Sequence, residues 1–424
     1  MQAVSVDLTA MGKRARTAAH RLANLSTDAK NEALANIAAG LESRQDEILA
    51  ANESDCDRAG RDGMSAASID RLVLDPGRLD AMAQDVLSVA SLPDPVGETL
   101  ESRELPNGLQ VSRRRVPLGV IGAIYESRPN VTIDIAALCF KSGNAVILKG
   151  GSEALASNSV LASVVRDGIE ASGAPVDSVQ FVDPTDRSLV GEMLAMKEYI
   201  DLVVPRGGAD LVRRVAAEAA MPAITGGIGV CHAYVDRDAN LDMAVSIVHN
   251  AKVQRPYVCN AVDTVLVHSM AAPQFLPRIA EAWAGDGVEM RCDRRALSIL
   301  GQADERNTRL VADDDWGTEF LALTAAIKIV DSLDEALDHI ETHTSGHTEA
   351  IVTEDQVSAA RFVDEVDAGV VLVNASTRFN DGSQLGLGAE VGISTDKLHA
   401  RGPIGLTELT SYKWTVLGSG QVRT

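Results

Sequence analysis

Over roughly the first ninety residues apolar positions recur every three to four places, as in "TDAKNEALANIAAGLESRQDEILAAN" after Ser26. That spacing predicts an Ala-rich helical lead-in, with the Ser26 hydroxyl as an N-cap. The period then drops to two in "ETLESRELPNGLQVSRRRVPLG", where Pro106, Asn107 and Gly108 mark a hairpin turn and basic residues fill the return strand. A two-stranded ribbon is marginal alone, so this one is expected to lie against something and is read as a subunit-contact arm.

From residue 119 onward, continuous apolar runs replace alternation: 119–126, 144–150, 178–183, 199–207 and 231–236, with helical patterns between them. Unbroken apolar strands joined by helices predict a parallel sheet covered on both faces, with any nucleotide site at the strands' carboxyl ends. A second series follows in "LDMAVSIVHNAK", "TVLVH", "AAIKIV", "LDEALDHIETH", "EAIVT" and "GVVLVN", interrupted by an acidic, irregular stretch at 284–318. The closing "TELTSYKWTVLG" reads as a strand that can pair with the hairpin arm. The fold class is therefore α/β.

Composition supports this and narrows the partners. A chain of 424 residues exceeds one ordinary core, so two or three domains are expected. Hydrophobic residues make up 46% and aromatics 3%, which leaves Ala, Val, Leu and Ile to do the packing. A formal charge of −21 repels phosphate backbones and anionic membranes, so an anionic ligand needs a local basic pocket. No apolar run approaches the ~18 residues of a spanning helix and no signal-peptide pattern is read, making the cytoplasm the expected compartment. Cysteines at 56, 139, 231, 259 and 292 show neither a disulfide framework nor metal-ligand spacing, so no metal is expected. Cys231 and His232 are adjacent and would face opposite sides of a strand.

Several residues can carry chemistry. Lys149 ends an apolar strand, and Gly150, Gly151 and Ser152 lead into a helix, a turn whose backbone can approach a phosphate. A lysine there suits an adenosine 2′-phosphate better than a ribose hydroxyl, which favours NADP over NAD. Arg206, Gly207 and Gly208 repeat the device. Both turns also read as ordinary strand-to-helix connections. Cys259 in "AKVQRPYVCNAVDT" is either a buried filler, as Cys139 in "AALCF" is expected to be, or a nucleophile activated by Lys252 and Arg255 nearby. His339 and His343 share a helix face without forming a metal motif and read as a solvated face or cap, whereas His347 follows Gly346 on a loop. The long turn-rich segment 374–403 can cover a site, with Arg378, Lys397, His399 and Arg401 as its basic pocket, or merely connect domains.

Taken together, "VPLGVIGAIYESRPNVTIDIAALCFKSGNAVILKGGSEA", "NAKVQRPYVCNAVDT", "HTSGHTEAI", "VNASTRFNDGSQLGLGAEVGISTDKLHARGP" and "LTSYKW" resemble the gamma-glutamyl phosphate reductase family of the aldehyde dehydrogenase superfamily, in order and over the whole chain. The resemblance implies a Rossmann-like nucleotide-binding domain (1–95 and 117–231), an α/β catalytic domain (232–402) and a small β oligomerisation element (96–116 and 403–424) in a homo-oligomer. It implies NADPH-dependent reduction of L-glutamyl 5-phosphate to glutamate 5-semialdehyde in proline biosynthesis, and glutamate 5-kinase as a possible partner. It makes Cys259 the nucleophile and places Lys149 at the nucleotide. With it, Asn130 and the Cys259 N–H become oxyanion donors, and Arg255, His347, Arg378, Lys397 and Arg401 substrate contacts. Tyr257 stands where the family has a small residue. Oxidising relatives carry a water-activating glutamate in the stretch comparable to "ITGGIGVCH", which here has no acid. That absence speaks for the reductive direction. Two competing readings are an oxidising or CoA-acylating aldehyde dehydrogenase and a non-catalytic scaffold for the preceding kinase.

Overall fold

The computed structural model describes residues 6–183, 186, 188–226, 229–301 and 307–423. The chain forms two compact units. One holds the chain through Thr225, Gly386–Gly392 and the chain from Ile404; the other holds Gly226–Leu385 and Ile393–Pro403.

The first unit begins with the expected helices, among them Leu8–Leu22, Thr27–Ser43, Gln45–Arg61 and Pro76–Ser91. Ser26 caps the second through its hydroxyl, and Asp75 caps the last with Pro76 at its first turn. Strands β1 (Thr99–Glu104) and β2 (Gln110–Pro117) form the hairpin, and the chain's last strand, Thr410–Leu417, joins that arm as expected, pairing antiparallel with β2. Strands β3 (Val120–Tyr125), β4 (Ala145–Gly150), β5 (Val179–Phe181) and β6 (Leu202–Arg206) make a parallel sheet in the order β5-β4-β3-β6. Every residue of β3 and β4 is buried, which is why neither strand alternates in sequence. The arm's three strands fall within this unit by contact rather than forming a third body.

The second unit is built on β7 (Cys231–Val235), β8 (Thr264–His268), β9 (Glu289–Cys292), β10 (Thr308–Leu310), β11 (Thr324–Val330), β12 (Thr348–Val352) and β13 (Val370–Val373). All pair in parallel, in the order β10-β9-β11-β8-β7-β12-β13. Strand β7, grouped with the first series by its sequence pattern, instead joins β8 and β12 here. A strand–helix alternation says that a strand is parallel and not which sheet it enters. The stretch 284–318 is more regular than its composition suggested, with β9, the Arg294–Leu300 helix and β10; residues 302–306 lie outside the described residues.

Candidate active site

The Leu241–Val253 helix leads to Cys259, which stands at the second position of a tight turn closed by Ala261 N donating to Val258 O (3.1 Å). The cysteine is part-exposed, and Tyr257 points largely to solvent, 59% exposed. Asn260 is buried and gripped at both ends. Its amide donates to Asn380 O (2.8 Å), and its carbonyl accepts the Thr377 hydroxyl (2.7 Å). Asn380 in turn donates to Thr348 Oγ1 (2.7 Å). These clamps fix the short 3₁₀ turn Thr377–Phe379, which carries Arg378. Arg378 Nε donates to Gln254 Oε1 (2.9 Å). Burial, and then the like charge of Arg255, hold this guanidinium below its ordinary range, while Asp381, Cys259 and Cys231 pull it back up. A cation so placed favours the ionised form of a neighbouring thiol.

Behind this turn runs Gly229–His232. A Cβ on Gly229 would overlap the Cys259 carbonyl oxygen and lie 2.7 Å from its Cβ, so only glycine permits the approach. Gly229 N donates to Glu319 Oε1 (3.0 Å). Burial raises the Glu319 carboxyl, and that bond partly offsets the rise. A carboxyl group therefore stands beside the Cys259 turn although the "ITGGIGVCH" stretch carries none. Of that stretch, Gly227 and Ile228 lie outside the described residues. The direction of reaction thus draws less support from the missing acid than the sequence suggested, because the acid comes from elsewhere in the chain.

His347 is buried next to Cys231 (Nδ1 to Sγ, 3.8 Å) and within 2.7 Å of Thr348 Oγ1; burial pulls its imidazole down to about 4. Lys252, named with Arg255 as a source of field, is fully buried and paired with Asp263 (3.7 Å). Burial pushes the Asp263 carboxyl up to about 6 against that lysine's pull. Lys397 and Arg401 both bind Asp367, the latter at 2.5 Å. Two of the four basic residues of the long loop are thus occupied by one carboxylate. His339 departs from the solvated face expected of it: it is 4% exposed, edge-on to His232 and Trp316, and burial first, then the neighbouring His232, Lys328 and His343, bring it down to about 2. His232 pairs with buried Glu349 (3.0 Å) on the other side of β7 from Cys231, and no group of three or more metal-ligating side chains occurs among the described residues.

In the first unit Lys149 and Arg206 share the carboxyl end of the sheet, since β3 lies between their strands in register Ile124 to Lys149 and Tyr125 to Arg206. Lys149 is 5% exposed and donates to Gly150 O (3.1 Å); burial lowers its pKa, opposed by Glu153, Asp183 and Asp186. Gly151 caps a 3₁₀ turn that begins at Ser152, ahead of the Leu155–Ala171 helix. At the second turn a Cβ on Gly207 would overlap the Glu126 carboxylate, which already accepts from Gly208 N (2.9 Å). That N–H is therefore spent on protein. Asn130, at the start of the Asn130–Lys141 helix, donates its amide to Asp134 (2.8 Å). Burial pushes Asp134 up to about 7, Asn130 draws it down, Asp85 adds to the rise and Arg206 opposes it.

The aldehyde dehydrogenase family model matches residues 1–294. Curated relatives bearing the name gamma-glutamyl phosphate reductase include one from Dehalococcoides mccartyi, 54% identical over all of both chains, and one from Chloroflexus aurantiacus, 55% identical over 99% of this chain and 100% of that one. The crystal structure of gamma-glutamyl phosphate reductase from Thermotoga maritima superposes with a TM-score of 0.95 at 46% identity, covering 99% and 100% of the two chains. The chain belongs to the gamma-glutamyl phosphate reductases of the aldehyde dehydrogenase family. For a member of that family the motif segments were legible, but the partners of Gly229–His232 were missed. Glu319, Ser345, Asp263 and Glu349 stand as far as 117 residues away in sequence, and no local spacing announces them.

Proposed function

We propose that the chain reduces L-glutamyl 5-phosphate to L-glutamate 5-semialdehyde and phosphate, the proline-biosynthesis step, with Cys259 as nucleophile and NADPH as reductant. The observation that carries this is Arg378, fixed by Thr377, Asn380 and Gln254 in the electrostatic field of Cys259. Ionised Cys259 attacks the acyl carbon; the new C–S bond forms as the C–O bond to phosphate breaks, leaving a thioester. Arg378, with exposed Arg255 near it, meets the departing phosphate and supplies the local positive charge that a chain of −21 otherwise lacks. Because phosphate leaves readily as an anion, no acid need protonate the leaving group. Lys397 and Arg401 hold the covering loop through Asp367.

The carboxyl end of the first unit's parallel sheet fits a nicotinamide dinucleotide. Lys149 and Arg206 stand two strands apart there, and Lys149 is a buried cation. When bound, the nicotinamide supplies a hydride to the acyl carbon of the thioester. Cys259 then leaves as thiolate, freeing the aldehyde and ready for another turnover. NADPH rests on Lys149. NADH is a second reading, favoured by Asp183 and Asp186, whose charge reaches Lys149 and which follow β5 as ribose-binding acids do. The exposed Tyr412, Trp414, Val416 and Leu417 of the three-stranded sheet support its role as a homo-oligomer contact.

The deciding experiment runs the reaction backwards. Glutamate semialdehyde and NADP⁺ should turn over only when inorganic phosphate is added, and coenzyme A should not replace it. Phosphate-independent formation of the acid at a similar rate would make the chain an oxidising dehydrogenase. Full biological activity of Cys259→Ala would favour the scaffold.

A further inference from the structure

Strand segments are ordinarily fixed by neighbouring strands. In Gly229–His232 four successive main-chain N–H groups also donate to side chains, from three other stretches of the chain. Gly229 donates to Glu319 (3.0 Å), Val230 to Ser345 (2.9 Å), Cys231 to Asp263 (3.3 Å) and His232 to Glu349 (3.0 Å). A buried network satisfied in this way is rigid. It carries a thiol to which the reaction above gives no part. Cys231 Sγ lies 3.2 Å from the Cys259 carbonyl oxygen, 3.4 Å from the Gly229 carbonyl and 3.8 Å from His347 Nδ1. Burial, then Asp263 and Glu349, push this thiol up, so it keeps its hydrogen and acts as a donor. Its nearest acceptor is the carbonyl of the candidate nucleophile.

We propose that Cys231 is a positioning residue for Cys259, its S–H holding the Cys259 carbonyl and with it the peptide plane that follows the reacting sulfur. The proposal rests on Cys259 being the nucleophile. The peptide is planar and trans, so the Cys259 carbonyl and the Asn260 N–H point in opposite directions. Drawing the oxygen toward Gly229–His232 turns that N–H away from Cys231 and sets the direction of Cα259. Thr377 secures the next carbonyl, so two successive peptides are held from two sides. A carbonyl that already accepts a hydrogen bond also places less negative potential beside an ionised sulfur. The charged groups whose field reaches this thiol are Asp263, Lys252 and Arg378, with Glu349 acting from the far side of β7 and His347 neutral beside it.

The test compares Cys231→Ala and Cys231→Ser in the full chain. The readouts are kcat, KM, thermal denaturation and the pH profile of Cys259 alkylation by iodoacetamide, followed by peptide mass spectrometry. In the alanine variant alkylation at pH 7 and kcat should each fall about fivefold, with KM nearly unchanged and the alkylation profile moved to higher pH, as befits one weak S–H hydrogen bond. Serine, which keeps a donor on a shorter bond, should recover to within about twofold of the parent. An alanine profile superimposed on the parent's, or a serine variant that falls as far as alanine, overturns the proposal. If the alanine variant does not fold, the serine variant decides alone. Alkylation within about twofold of the parent supports the donor role, and a folded serine variant at least fivefold slower overturns it. Turnover by Cys259→Ala would instead overturn the nucleophile reading, whatever the Cys231 variants do.

Discussion

Thr377 donates its hydroxyl to the carbonyl oxygen of Asn260 across 2.7 Å, tying the residue after Cys259 to the turn that presents Arg378. The two residues are 117 apart in sequence, and both are buried. The clamp therefore couples the position of the cation to that of the thiol. Arg378→Ala should lower kcat/KM by about a hundredfold, the scale of losing a charge-stabilising donor at the reacting centre. Arg378→Lys should recover part of this, because it keeps the charge but not the guanidinium fork. Steady-state kinetics, with iodoacetamide labelling of Cys259 at pH 7, measure both effects. Unchanged labelling in the alanine variant would remove Arg378 as the source of activation.

Labelling also separates the cysteines. Cys139 is fully buried in the Asn130–Lys141 helix, and burial alone pushes its thiol far up. In the folded chain Cys259 should react at least tenfold faster than Cys139, a comparison that needs no substrate. Equal rates would mean that Cys259 is another filler.

Gly229→Ala tests the close approach behind the turn. The added methyl has the Cys259 carbonyl and Cβ in its way, and the four held N–H groups leave the segment little room to yield. A displaced nucleophile with an otherwise intact fold is expected: kcat/KM down about a hundredfold, the cost of an ångström-scale misplacement, with the far-ultraviolet spectrum unchanged. Activity within a few-fold of the parent would show that the turn shifts without penalty.

Legibility in the sequence divides along the same lines. The Cys259 turn and the Arg378 loop could be read because each is a contiguous motif, and the sheets because Val120–Tyr125 and Ala145–Gly150 are unbroken apolar runs. What could not be read was convergence. His339 sits on a helix whose pattern says nothing of Trp316 and His232 covering it, and Glu319 reaches Gly229 across 90 residues. Lys397 and Arg401 read as free cations because Asp367, which they share, lies before the loop begins. Side-chain partners from distant segments leave no periodic trace in sequence.

Asp134 gives a pH signature. Its carboxyl keeps its proton to about pH 7 in the folded chain, whereas an unfolded aspartate loses it near pH 4. The stability it contributes is therefore fully present below about pH 4 and is lost as pH rises through about 7. Asp134→Asn retains an acceptor for the Asn130 amide and cannot ionise. Relative to the parent, its melting temperature should rise between pH 5 and pH 8. A constant difference across that range would mean that Asp134 titrates normally.

The cofactor choice turns on what Lys149 meets. Lys149→Met keeps the length of the side chain and removes the charge, at a position 5% exposed at the carboxyl end of β4. If the ammonium meets the adenosine 2′-phosphate, KM for NADPH should rise about thirtyfold, the worth of one charged hydrogen bond, while KM for NADH stays put. If it meets the ribose or pyrophosphate common to both, the two KM values should rise together. In that case Asp183 and Asp186 would be free to favour NADH. In either case kcat should change little, because the proposed mechanism gives Lys149, which lies in the first unit, no part at the reacting atoms. A fall in kcat with both KM values unchanged would take Lys149 out of the nucleotide site altogether.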